Sequence, residues 1–369
     1  MKNLIFAATV LFLVPNAHAF TSVCDRTLEI RNALEDVVQK PCEEITKEDL
    51  NKLSGELEVY NKDLSKLHAD DLTDLTSLND LSFGHNEIDQ LPVGIFRDLI
   101  SLERLSLYEN KITQISKSDL AAMPRLQDID LEYNNLTVLP DDIFESNPLL
   151  YAVRLEYNSI TNITAKTLEP LARLSYLGLS GNPLTHIDEY LVAKHPHLYT
   201  LLLSSTKISE LPSKLVSHNS DLHYFEFSGP IKELPSNFFR GNPLLESVHI
   251  TQTLIDSLPS DLFANSKMLD LVDFQKNALT EIPVDLFKGQ TKIGTLYLYD
   301  NQLSELPKDL LADLATLRIF TLDGNQFSQL APEQFNGLTN LWTLSLRRNP
   351  LPSEMVTDFK KAFGDRVQF

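Results

Sequence analysis

The sequence predicts an α/β solenoid: one short strand and its return connection, repeated along the chain into a curved, right-handed horseshoe. Three observations predict it. The string L-x-x-L-x-L-x-x-N-x-I-x-x-I at Leu102, Leu105, Leu107, Asn110, Ile112 and Ile115 recurs at Leu126, Ile129, Leu131, Asn134, Leu136 and Leu139, and at Leu317, Phe320, Leu322, Asn325, Phe327 and Leu330. Thirteen copies begin at residues 54, 78, 102, 126, 150, 174, 198, 222, 245, 269, 293, 317 and 341, and every interval is 24 residues except the 23 between 222 and 245. Within each copy the apolar residues first alternate with period two, the signature of a strand with one buried face. A single such strand cannot bury that face, whereas stacked neighbours share a core. The 369 residues therefore form one array rather than the two or three domains that length alone suggests.

From the N-terminus, Lys2 precedes an apolar stretch from Leu4 to Val14 and then Ala17-His18-Ala19, a small-x-small cleavage site. This reads as an export signal over residues 1–19, too short to span a bilayer. No later stretch is long and apolar enough to be a membrane span. Residues 20–53 are expected to form a helical cap over the first turn: Ile30, Ala33, Leu34, Val37 and Val38 keep helical spacing, and Thr46 with Asp49 resembles a capping box. Export makes a disulfide between Cys24 and Cys42 the favoured state, worth roughly 3 kcal/mol for a loop of this size.

In the repeats, 54–351, an asparagine closes the strand at Asn86, Asn110, Asn134, Asn158, Asn182, Asn277, Asn301, Asn325 and Asn349. Its amide can bond the backbone groups that a turn leaves unpaired, so these residues read as a structural ladder. Prolines such as Pro92, Pro140 and Pro259 begin the return connection. Phe96, Phe144, Phe239, Phe263, Phe287 and Phe335 fall at one later position and should stack as a second spine. Three successive repeats replace the asparagine with Thr206, Pro230 and Thr253, which predicts a local change of curvature near residues 227–231. Residues 352–369 read as a helical C-terminal cap, with Ser353 as its N-cap and Met355, Val356, Phe359, Ala362 and Phe363 on one face.

These motifs resemble the leucine-rich-repeat superfamily in its 24-residue form, similar to the extracellular repeats of animal receptors and proteoglycans. The segment Cys24-Asp25-Arg26-Thr27 through Ile30 to Leu34, then Cys42 and Ile45 to Leu50, is instead similar to caps of secreted bacterial members, and a cysteine-rich C-terminal cap is missing. The resemblance implies a binding module rather than an enzyme.

The repeat assigns strand positions 2, 3, 5, 7 and 8 to the concave face and its rim. Ten of the eleven tyrosines fall there: Tyr60, Tyr108, Tyr133, Tyr151, Tyr157, Tyr176, Tyr199, Tyr224, Tyr297 and Tyr299, with Trp342 beside them. Tyrosine suits an exposed strand, and it is also a favoured interface anchor. Glu103, Glu109, Asp128, Asp130, Glu132 and Glu156 place acid around the first tyrosines, interrupted by Arg104 and Arg154, while Arg318, Arg347 and Arg348 lie towards the far end. The expected ligand-binding set is Tyr108, Glu109, Glu132, Tyr133, Tyr151, Tyr157, Tyr176, Tyr199, Tyr224, Tyr297, Tyr299 and Trp342.

Composition narrows the function. With 32 Lys and Arg against 51 Asp and Glu, a formal net charge of -19, general nucleic-acid binding is excluded as an expectation. No catalytic motif of the H-E-x-x-H, G-x-S-x-G or G-x-G-x-x-G type occurs, and no cofactor is implied. His195-Pro196-His197 is the one tight histidine pair and falls on the convex side, poorly shaped for a metal; His85, His223 and His249 face the groove but read as too far apart to act together. The expectation is non-enzymatic recognition of a protein with a basic or mixed surface, in a periplasm or outside the cell. Glycan or cell-wall binding and a structural, self-associating role are the alternatives.

Overall fold

The computed structural model of the chain describes residues 22–369; the expected export signal lies outside them. Fourteen parallel strands form one sheet in strict chain order: β1 (Glu56–Glu58), β2 (Asp80–Ser82), β3 (Arg104–Ser106), β4 (Asp128–Asp130), β5 (Ala152–Arg154), β6 (Tyr176–Gly178), β7 (Thr200–Leu203), β8 (Tyr224–Phe227), β9 (Ser247–Ile250), β10 (Leu271–Asp273), β11 (Thr295–Tyr297), β12 (Ile319–Thr321), β13 (Thr343–Ser345) and β14 (Val367–Gln368). Each strand pairs at equal repeat positions with the next, Leu105 with Ile129 for example. Identical positions of successive repeats therefore stand in rows across the sheet, about 4.8 Å apart. The alternating leucines point inward and are fully buried, as Leu81, Leu177 and Leu296 show.

The asparagines form the expected ladder. Asn134 donates from Nδ2 to the carbonyls of Leu107 (2.8 Å), Leu131 (3.2 Å) and Glu132 (3.1 Å), and its Oδ1 accepts from Ile112 N at 3.0 Å. One amide thus closes its own turn and ties it to the preceding one. The same pattern recurs from Asn86 to Asn349. The phenylalanine spine is buried, and Phe239, Phe263 and Phe287 stack in sequence with centroids 6.0 and 6.4 Å apart.

A second ladder on the return side is not evident in the sequence pattern. Asn147, His195, Asn219, Asn242, Ser266 and Gln290 occupy one repeat position and are buried. Each bonds a carbonyl of the preceding turn: Asn219 reaches Val192 O (2.8 Å) and His195 O (2.7 Å), and Gln290 reaches Phe263 O (2.7 Å). His195 takes the same role through Nδ1 to Leu171 O at 3.0 Å, and burial pushes its pKa down, favouring the neutral ring that donates this bond.

The irregular repeats do not interrupt the sheet. β7, β8 and β9 are four residues long where most strands have three, and pairing extends to Leu203–Phe227 and Phe227–Ile250. Where the asparagine is absent the backbone ladder runs one rung further, and Ser205 N finds Ser228 Oγ at 2.6 Å. The ladder is unbroken across residues 206–253, which removes the ground for the change of curvature expected near residues 227–231.

Two short helices precede β1: α1 (Leu28–Val38), which buries Ile30 and Leu34, and α2 (Lys47–Lys52), opened by a Thr46–Asp49 capping box. The Cys24–Cys42 disulfide joins the segments before α1 and α2. Arg26, almost wholly buried, donates to Asp71 O and Thr73 O and locks this cap to the first turn. After two one-turn helices on the return side, α3 (Lys117–Leu120) and α4 (Ala165–Leu168), the last helix is α5 (Ser353–Phe363). Its N-cap is Pro352, which makes no side-chain cap bond, so Ser353 is the first helical residue rather than the cap. Phe359 and Phe363 are buried as expected, but Ala362 is exposed. The C-terminal end is also not purely helical, because β14 adds a strand one further repeat interval beyond β13.

Replacing Asn134 with Ala removes four bonds and leaves buried backbone groups unpaired; urea unfolding should show a loss of about 3 kcal/mol. Replacement with Thr, which serves at positions 206 and 253, should cost clearly less.

Candidate functional site

The face of the sheet turned away from the leucine core carries two aromatic tracks. The first follows positions 7 and 8, where the chain leaves each strand. Tyr60 meets His85 edge-on at 5.3 Å between centroids, His85 meets Tyr108 at 6.1 Å, Tyr108 meets Tyr133 at 5.6 Å, and Tyr133 stacks on Tyr157 at 4.4 Å. Five consecutive repeats thus contribute a continuous line of rings. Tyr60, Tyr133 and Tyr157 are each more than two-fifths exposed. Position 8 bends the backbone into the left-handed region, with φ of 59° at His85, 52° at Tyr133 and 53° at Tyr157. This costs a non-glycine residue about 1–2 kcal/mol and aims its side chain out of the sheet. The next repeat has Gly181 at this position; a Cβ there would stand 2.6 Å from the Tyr157 ring. The glycine makes room for the last tyrosine and ends the track. Glu109 flanks it, with Oε2 2.6 Å from His85 Nε2.

The second track uses the strand-entry positions of later repeats. Tyr199 stacks on His223 at 4.2 Å and Tyr224 packs against His249 at 5.1 Å. His223, just before β8, and His249, on β9, belong to adjacent repeats, not far apart as the sequence suggested, and each is absorbed into a tyrosine contact. Tyr151 is exposed on the same side. Tyr297 and Tyr299 contact each other at 6.4 Å on and just after β11. Trp342, 65% exposed, lies under the Arg318 guanidinium at 5.5 Å. The predicted residues therefore share one face but form separate groups.

Between the tracks, β4 and the residues just after β4 and β5 carry a cluster of acids. Arg154 pairs with Asp128 and lies 4.8 Å over the Tyr176 ring; Arg104 is similarly held by Asp80 at 2.7 Å. Glu156, expected on the exposed face, is only 4% exposed. Gly178 on the next strand explains this: a Cβ there would fall 2.0 Å from Glu156 Oε1, so the carboxylate occupies the space that the glycine leaves empty. Tyr176 donates its hydroxyl to Glu156 Oε1 at 2.7 Å, while Oε2 is buried without a partner. Burial raises the Glu156 and Asp130 pKa values. Burial, followed by the charges of Glu156 and Asp130, lifts Glu132 to about 7. The sequence showed the acids but not the desolvation, which depends on a glycine one repeat away.

Because folding raises the Glu132 pKa, the native state holds this proton more tightly than the unfolded chain. The penalty for ionising it is absent below pH 4.5, grows towards pH 7 and is full above that. Glu132→Gln should therefore stabilise the protein in urea unfolding at pH 8 and leave it unchanged near pH 4, with a difference below 1 kcal/mol at both values counting against this reading.

Comparisons with known proteins agree with the geometry. The leucine rich repeat family model matches residues 76–136, 124–184, 267–327 and 291–351, together just over half of the chain. Among solved structures, an internalin (inlF) from Listeria monocytogenes is 23% identical, covers 93% of this chain and 95% of its own, and superposes with a TM-score of 0.77. A leucine-rich-repeat protein of Leptospira interrogans is 24% identical over 88% of this chain and 74% of its own, TM-score 0.71. The Drosophila Toll–Spatzle complex contains a chain 25% identical over 80% of this one and 39% of its own, TM-score 0.73. No curated protein matches. Among the described residues no helix is long and apolar enough to cross a membrane. Proteins built on this repeat typically mediate protein–protein recognition, and the chain belongs to the leucine-rich-repeat family.

Proposed function

We propose that this protein is a non-enzymatic recognition module that binds a protein ligand through the concave, strand-bearing face, outside the cytoplasm. The observation that carries the reading is the five-ring line from Tyr60 to Tyr157, packed ring to ring yet open to solvent. Rings held by their neighbours lose little rotamer freedom on binding, and aromatic side chains dominate interface energetics. The left-handed backbone at His85, Tyr133 and Tyr157 supports the same reading, since it spends stability on displaying those side chains. The disulfide supports an oxidising compartment, periplasmic or extracellular. Neighbouring folds include receptors solved with protein or peptide ligands, Toll with Spatzle and a plant hormone receptor, RGFR1, with RGF2.

Glycan binding is the weaker reading. A sugar ring needs an open aromatic face, and Tyr133 and Tyr157 lie 15° from parallel at 4.4 Å, covering faces of each other. Trp342 is the residue that best favours it, being the most exposed large ring among the described residues.

The test is capture on immobilised protein beside the Tyr108→Ala, Tyr133→Ala, Tyr157→Ala triple variant, from envelope extract, secreted protein and soluble wall polymer. The expected result is a protein held by the parent and at least about tenfold weaker on the variant. Retention of wall polymer alone, or equal retention by both proteins, would overturn the reading.

A further inference from the structure

The acid cluster on and just after β4 and β5 is a built feature, and among the described residues none of its three inner carboxylates is held in an ion pair. Glu132 and Glu156 hold the same position in successive repeats and so stand in one row across the sheet, with Asp130 two residues before Glu132; Glu156 is buried and the other two are half-buried. The neighbouring guanidinium of Arg154 is already committed to Asp128 and to the face of Tyr176. Asp130 Oδ1 accepts only the backbone N–H of Glu132, at 3.0 Å. Glu156 is sunk into the glycine slot with Oε2 buried and unpartnered. A carboxylate oxygen shut away from water without a donor is costly, and two more acids beside it add repulsion. The arrangement is held in place by Gly178, which alone allows Glu156 to lie there, and by the Tyr176 hydroxyl, which fixes its other oxygen.

From this geometry we infer that Asp130, Glu132 and Glu156 form an anchor subsite for a single cationic side chain, arginine or lysine, projected by the protein partner. Glu132 and Asp130, half-buried at the surface, take the direct hydrogen bonds. The charge of Glu156 beneath them strengthens the attraction because it acts through a poorly hydrated medium. A divalent metal fits less well. Among the described residues the only trio of metal-capable groups whose ligand atoms come within 4.8 Å of one another is Cys24, Cys42 and Glu43, and the two sulfurs of that trio are bonded to each other. The three acids are too spread to share one ion, whereas a forked guanidinium can bridge separated oxygens.

This inference rests on the proposed protein recognition through the same face, and the experiment separates the two. Acetyl-Gly-Arg-Gly-amide and acetyl-Gly-Gln-Gly-amide are titrated by NMR into the full protein, into Glu132→Gln/Glu156→Gln, and into Glu281→Gln/Glu305→Gln, which removes the same charge from exposed positions elsewhere. The arginine peptide should bind the parent and the control about tenfold more tightly than the glutamine peptide, and the difference should vanish in the first variant. Glu132→Gln alone, at the half-buried position, should reduce the preference in the same direction. Equal binding of the two peptides by the parent, or an equal loss in the control, overturns the subsite. So does calcium chloride binding to the parent, lost in Glu132→Gln/Glu156→Gln, without any arginine preference. A captured partner that needs the tyrosines but survives removal of both glutamates ends the subsite and leaves the recognition reading intact; the absence of any tyrosine-dependent partner ends the reading itself.

Discussion

Every turn of this solenoid leaves its strand by a sharp bend whose peptide groups point into an apolar interior, and the side chains that bond them make the rest of the structure possible. Asn134 shows the economy of the arrangement: its amide reaches carbonyls on two turns and accepts one backbone N–H. Without such partners each bend would bury unsatisfied polar groups, and the leucine core could not close around it. The second ladder, from Asn147 to Gln290, does the same on the opposite edge. Between them the two ladders hold the chain tightly enough for the intervening face to be occupied by residues that contribute nothing to the core.

The strand ladder was legible because one residue type recurs at one spacing, and the same is true of the leucines, the capping box at Thr46 and the cysteine pair. The return-side ladder was not, because asparagine, histidine, serine and glutamine share only a hydrogen-bond donor, and residue identity hides that likeness. β14 escaped notice because a two-residue strand carries too little periodicity to stand out from the helix before it. The change of curvature expected near residues 227–231 fails for a related reason: loss of the asparagine looks like loss of the turn, whereas four-residue strands and Ser228 take over part of its role.

The surface followed the same logic. That the tyrosines share a face could be read from repeat position alone, but their contacts could not. The tilt of one ring against the next depends on the left-handed residue and on whether the next repeat has a glycine. Gly178 and Gly181, in a single repeat, illustrate this: one admits the Glu156 carboxylate, the other the Tyr157 ring. Neither has any marker in its own repeat, because the side chain it accommodates belongs to the turn before. Acidity was visible as a count, while the rise in the Glu132 pKa comes first from its own burial and then from the charges of Glu156 and Asp130.

The left-handed residue at position 8 sets stability and display against each other. Side chains there, such as His85, Glu109, Tyr133, Tyr157, Lys276 and Arg348, all adopt a conformation that glycine would adopt without strain. Exchanging them for glycine would relax the backbone and leave the asparagine ladder untouched. Selection for thermal robustness alone would therefore tend to bleach the face, repeat by repeat, starting with the residues that make one repeat distinguishable from the next. The variety retained at this position is held against that drift, so a more durable version of this scaffold is better sought in the core and the return connections than on the surface it presents.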